Sequence, residues 1–196
     1  MINYIAILIL NFFDYFYKKK ISKFLKKNQL DKIDIFLDVG GHKGESINFF
    51  LKNLNIKNIY SFEASPLNFA VLKNRLPCLI KKFNQTNIYI ENVALGASVK
   101  KVLLKQFNES SSSTLSDIDE NSSYFKKKYK FINKKKGNTF YRNIETTVIP
   151  LSQYLTNKKI NDIDFLKIDT EGYELNILKG LKNDIRNIKI IFFEHH

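Results

Sequence analysis

One stretch, Asp38-Val39-Gly40-Gly41-His42-Lys43-Gly44, restricts the fold more than any other part of this sequence. It ends a short apolar run, Ile35 to Val39. It precedes Glu45 to Leu54, where Ile47, Phe50, Leu51 and Leu54 recur at helical spacing. A glycine turn between strand and helix permits positive φ and lets a ligand approach the backbone. The helix start adds unpaired N–H groups and a positive dipole end. The spacing is G-x-x-x-G, not the dinucleotide pattern G-x-G-x-x-G, and no Gly-Lys-Ser/Thr follows. Neither a dinucleotide fingerprint nor a phosphate loop is therefore expected. Asp38 supplies a carboxylate at the strand end, which suits a cationic group such as an amino-acid ammonium.

The chain continues by alternation. Asn58 to Glu63 reads as a second strand, and Ser65-Pro66 opens a helix, Ser as N-cap and Pro at the first helical position. Ile88 to Leu95 reads as a third strand and Val99 to Phe107 as a further one. Thr146 to Pro150, Phe165 to Ile168 and Ile188 to Phe193 have strand character, with helices over Leu151 to Leu155 and Tyr173 to Leu181. Strands alternating with helices predict an α/β fold, with a mostly parallel sheet, right-handed crossovers and helices on both faces. Asn108 to Gly137 is Ser-rich, then acidic, then Lys-rich, and reads as a long surface loop or insertion.

Two further strand ends carry acids. Glu63 stands 19 residues after Gly44, the separation at which a carboxylate holds ribose hydroxyls. With the Asp38 turn it describes a nucleoside without a 2′-phosphate and with a charged amino-acid-like tail, which S-adenosylmethionine fits. Lys167-Ile168-Asp169-Thr170-Glu171-Gly172-Tyr173-Glu174 ends the strand expected beside the first. Asp169 is thus expected near the reactive end of the ligand, and Lys167, two residues earlier, on the same side of the strand. Glu171 and Glu174 suit the start of the next helix as partners of its dipole.

These pieces resemble the FkbM-type S-adenosylmethionine-dependent methyltransferases over roughly Ile35 to Glu194. The resemblance rests on the 38–44 turn, on Phe62-Glu63-Ala64-Ser65-Pro66 with Asn68, and on Asn92-Val93-Ala94-Leu95-Gly96. It rests also on Ser112-Ser113 with Leu115, on Leu166-Lys167-Ile168-Asp169 with Glu171-Gly172 and Glu174, on Leu178-Lys179-Gly180, and on Phe193-Glu194. Gly41-His42 stands where the family often has Ala-Asn. The resemblance implies a Rossmann-like fold and S-adenosylmethionine held at Asp38, Gly40, Gly41, His42, Gly44, Glu63, Ala64, Asn92 and Asp169. It implies methyl transfer to a hydroxyl, often of a sugar, glycan or secondary metabolite. An alcohol nucleophile benefits from a base in reach, and Asp169 first and Glu194 second, both at strand ends on the ligand side, are the candidates, with His42 and His196 as alternatives. No metal is assigned, although Asp169, Glu171 and Glu194 are an acidic group that a divalent cation could use.

Length and charge set the remaining expectations. The 196 residues suffice for one domain, 34–196, behind an N-terminal amphipathic helical segment, 1–30. Methyltransferases of this class usually continue past the fifth strand with a helix and two more strands. The domain is therefore expected to lack its last two strands and to present a sheet edge, either because the chain is a truncated gene product or a fragment or because another subunit covers it. A noncatalytic, truncated fold is the alternative reading. The formal charge is +13, from 32 Lys and Arg against 19 Asp and Glu. Only Arg75, Arg142 and Arg186 are arginine, whereas a phosphate-reading surface favours arginine. Asp169-Thr170-Glu171-Gly172 also lacks the aromatic stacking run of nucleic-acid methyltransferases, so an RNA substrate is disfavoured. Residues 1–17 are apolar with a narrow polar stripe, too short for a confident span, and Lys18 to Lys20 follow. They predict a helix either docked on the domain or lying at a membrane surface through residues 1–20. The one cysteine, Cys78, fits a reducing, cytoplasmic location.

Overall fold

The computed structural model describes residues 16–107, 113–116 and 141–193. The first fifteen residues, most of the Ser/Lys-rich loop and Glu194 lie outside them. Helix α1 spans 16–27. The order then runs β1 Lys32–Val39, α2 Glu45–Asn53, β2 Asn55–Phe62, α3 Pro66–Lys82, β3 Asn87–Glu91, β4 Ala94–Leu95 and β5 Lys100–Phe107. After the loop come β6 Tyr141–Ile149, α4 Leu151–Lys158, β7 Ile163–Ile168, α5 Glu174–Leu181, a 3-10 turn Lys182–Asn187 and β8 Ile188–Phe193.

Five strands form one parallel sheet in the order β3-β2-β1-β7-β8. The chain steps outward from β1 through β2 to β3, then returns to the other side of β1 with β7. That reversal opens a crevice beyond the C-terminal ends of β1 and β7, where ligands bind in open α/β sheets. Helices cover both faces. On one, Leu25 of α1, Ile47 and Phe50 of α2 and Leu72 of α3 pack around Phe36 and Phe165. The Phe36 and Phe165 rings stack at 4.9 Å, and Phe50 meets Phe36 edge-on at 5.3 Å. On the other, Leu151 and Leu155 of α4 and Ile177 and Leu181 of α5 pack on Leu37, Leu166 and Ile168. Strands buried on both faces read as continuous apolar runs, as Ile163 to Ile168 does.

The structure departs from the sequence reading in two places. The run Ile88 to Leu95 is not one strand. It breaks at Asn92 and Val93, and β4 leaves to pair with β6 in a separate three-stranded sheet, β4-β6-β5. The break holds because Asn92 turns its amide back to the Glu63 carbonyl at 2.8 Å. The stretch read as a loop also contains an ordered contact. Thr114 exchanges backbone hydrogen bonds with Lys105 and ties 113–116 to β5. Among the described residues no helix is long and apolar enough to cross a membrane.

Candidate functional site

The site is built at the ends of β1, β2 and β7. Asp38 and Lys167 are register partners on adjacent parallel strands, so their side chains leave the sheet on the same face. Lys167 Nζ lies 3.3 Å from Asp38 Oδ1 and 3.2 Å from Asp169 Oδ2. Asp38 is fully buried and Lys167 nearly so, while Asp169 is 35% exposed. Burial alone would push the Lys167 ammonium down. The Asp38 and Asp169 carboxylates outweigh it and hold the group above its ordinary range. The cation that Asp38 meets is thus the chain's own. Asp169 is the more accessible of the two carboxylates that Lys167 pairs with. The pairing is one of charge, since neither Lys167 Nζ nor Asp38 Oδ1 completes a well-aligned hydrogen bond among the described residues.

The glycine turn folds for internal reasons. Gly40 has φ +84, and a Cβ there would overlap the Asp169 carbonyl. A Cβ at Gly41 would overlap Ser61 Oγ, the hydroxyl that donates to Asp38 Oδ2 at 3.2 Å. Every backbone N–H from Gly40 to Gly44 already has a partner. Gly40 and Gly41 donate to the Phe62 carbonyl, Gly44 donates to the Gly41 carbonyl, and His42 and Lys43 donate to Glu63 and Glu45. The turn therefore offers no ring of free amides to a phosphate, which agrees with its failure to match a phosphate loop.

Glu63 is buried and divided between two turns. Its Oε2 accepts from His42 N and its Oε1 from Ser65 N, each at 2.8 Å. Burial pushes the carboxyl up, and the Ser65 and His42 amides offset only part of that. The Asn68 side chain also hydrogen-bonds this carboxylate, so three donors leave about one of its four lone-pair sites for a further one. Asn92 holds the Glu63 carbonyl and Ala64 lies between them in sequence, so the three residues form one fixed corner at the end of β2. His42 has φ +48 and places its Nδ1 3.3 Å from Glu45 Oε2. The expected Ser65 cap is present, its Oγ accepting from Asn68 N at 3.2 Å.

Sequence reasoning missed the ties between these corners. Glu174, expected to act through the helix dipole, instead clamps the 169–172 turn, accepting from Thr170 N at 3.0 Å, Thr170 Oγ1 at 3.0 Å and Gly172 N at 3.1 Å. Thr114 Oγ1 donates to the Glu171 carbonyl at 2.7 Å. Buried Gln106 bonds Ser65 Oγ and, through its amide, Ser113 Oγ. The 113–116 strap therefore ties the β2 corner, through Gln106, to the β7 corner. The T-x-x-x-E spacing of Thr170 to Glu174, one residue longer than the S/T-x-x-E capping box, was a weak signal for the first tie. Nothing local announced the others. Glu91, at the end of β3, accepts from the Tyr154 hydroxyl at 2.9 Å. Among the described residues no three His, Cys, Asp or Glu side chains cluster to hold a metal ion.

No curated protein sequence matches the chain. Among solved structures it resembles methyltransferase FkbM from Methylobacillus flagellatus KT, with 18% identity and a TM-score of 0.47, covering 79% of this chain and 30% of that one. It also resembles M. capricolum TrmK in complex with S-adenosyl-homocysteine, with 16% identity and a TM-score of 0.38, covering 82% of this chain and 46% of that one. The chain thus spans less than half the length of either. A family model of the methyltransferase FkbM domain matches residues 38–196. That match begins at the Asp38 carboxylate and takes in the three strand-end corners, and the chain belongs to the FkbM methyltransferase family.

Proposed function

We propose that the protein transfers a methyl group from S-adenosylmethionine to a hydroxyl of a sugar, glycan or secondary metabolite. The observation that carries the cofactor reading is the glycine turn, whose five amides are all engaged within the chain while the carboxylates Glu63 and Asp169 flank it. Such a site disfavours phosphates and suits hydroxyls and positive charge. Asp38, Lys167 and Asp169 together carry one net formal negative charge, which complements the ammonium of an amino-acid tail. Buried Asp38 Oδ1 has hydrogen-bonding capacity that the described residues leave unused.

In this reading Glu63 turns its remaining lone pair to a ribose hydroxyl, held in place by His42 N–H, Ser65 N–H and the Asn68 side chain. Ala64 and the glycine turn give a close-fitting floor. Asp169 faces the charged end, its carboxylate fixed by Lys167. When bound, S-adenosylmethionine supplies an electrophilic methyl on a sulfonium, and the protein supplies orientation and electrostatics. Asp169, one-third exposed at the β7 end, accepts the hydrogen bond of an acceptor hydroxyl and takes its proton as the oxygen attacks. The strap at 113–116 stands beside this end of the crevice and shapes the acceptor side.

Calorimetric titration of the purified protein with S-adenosylmethionine and S-adenosylhomocysteine tests the cofactor, and transfer of a labelled methyl to glycans or to RNA tests the acceptor. Binding with labelled glycan supports the proposal. Absence of binding overturns it. Binding without transfer to any hydroxyl acceptor favours a noncatalytic fold instead.

A further inference from the structure

Part of the lysine excess is organised on α1. The helix 16–27 carries six lysines, no arginine and no acid. Its inner face is set by Leu25, fully buried in the core beside α2 and α3, with Leu30 following the helix. Its outer face is different. Lys20, Lys23, Phe24 and Lys27 follow the spacing i, i+3, i+4, i+7, so they share one side, and all four are exposed. Phe24 is 55% exposed and Tyr17 48%. Tyr17 also meets Phe192 near the C-terminal end of β8, ring centroids 5.8 Å apart. The amino end of α1 thus stands at the same end of the sheet as the candidate site.

A single exposed apolar side chain is ordinary, but Tyr17 and Phe24 stand seven residues apart, so two exposed aromatics share the lysine-bearing side of α1. We infer that this face of α1 docks the protein on an anionic lipid bilayer. Lysine stems lie along an apolar boundary while their ammonium groups reach lipid phosphate, and an aromatic ring between them enters the acyl boundary. Lysine without arginine suits the diffuse negative potential of a bilayer better than the planar, bidentate reading of nucleic-acid phosphates. A second copy of this chain is a poor occupant, because two faces of the same positive charge repel. The inference does not depend on methyl transfer.

Co-sedimentation of the full chain with phosphatidylcholine vesicles, with and without phosphatidylserine, tests it. Phosphatidylserine should raise binding strongly, and added salt should reverse the gain. The triple variant Lys20→Gln/Lys23→Gln/Lys27→Gln should lower partitioning by on the order of a hundredfold. Phe24→Ala should lower it by about tenfold at equal salt. All four positions are exposed, so matching thermal unfolding curves confirm that the variants remain folded. Equal binding to both vesicle types overturns the inference, as does a triple variant that binds like the parent. Lysine-dependent binding to RNA with vesicles untouched overturns it too.

Discussion

Lys167 Nζ and Asp38 Oδ1 lie 3.3 Å apart, on side chains that are 3% and 0% exposed. A buried pair of this kind need not stabilise relative to an apolar pair, but removing one partner strands a charge. Lys167→Met should therefore cost about 3–5 kcal/mol in urea unfolding. The double variant Asp38→Asn/Lys167→Met should recover part of that loss. A single variant within about 0.5 kcal/mol of the parent would show that water reaches Asp38 and that the pair is unimportant.

Gly40 and Gly172 separate two costs. Both have positive φ, +84 and +97. A Cβ on Gly172 meets only the Ser116 side chain, at 3.3 Å, whereas a Cβ on Gly40 overlaps the Asp169 backbone. Gly172→Ala should lose roughly 1–2 kcal/mol for the left-handed backbone alone. Gly40→Ala should lose clearly more, because β1 and β7 must separate where Asp169 N donates to the Val39 carbonyl at 3.0 Å. Equal losses in thermal unfolding would mean that the β7 end yields easily and that the close approach is incidental.

What could be read from the chain was local. Ser65 and Pro66 announce α3 because cap and first-turn geometry depend on neighbouring residues, and Ile188 to Phe193 is apolar enough to stand as a strand by itself. The position of Asp169 beside the glycine turn followed from strand alternation and the switch-point rule. The partner of Asp38 did not, since it depends on the register between β1 and β7, more than a hundred residues apart. The break at Asn92 was hidden for the same reason. Ala94 and Leu95 are as apolar as Ile88 and Ile90, and only pairing with Val148 and Ile149 takes them to another sheet. The strap at Thr114 lies in a Ser-rich stretch with no period to betray it.

Glu63→Gln tests whether the β2 corner depends on a carboxylate. Both oxygens accept from backbone amides, so an amide side chain sets one N–H against another, at His42 or at Ser65. The expected loss is about 1–3 kcal/mol of stability for the unsatisfied donor. S-adenosylmethionine affinity should fall as well, because His42 and the turn lose their anchor. Urea unfolding and calorimetric titration read the two effects. Unchanged stability with reduced affinity would make Glu63 a ligand contact alone, and an unchanged value of both would remove it from the site.

Glu45 gives the molecule an acid-sensitive joint at the start of α2. Burial pushes its carboxyl up, but the His42 ring, its own backbone N–H and Arg75 outweigh this and hold it at about 2, against an ordinary 4.5. A carboxylate with a depressed folded value stabilises above its unfolded value and loses that contribution as pH falls through the folded one. The window therefore runs from about pH 4.5 down to about 2. Glu45 is half-exposed, so solvent screening keeps the effect to about 1 kcal/mol or less. Across that window the parent should lose more stability than Glu45→Gln, which has no charge to titrate there. Urea unfolding at a series of pH values measures the difference, and parallel curves for the two proteins would show that Glu45 holds nothing at the turn that an amide cannot.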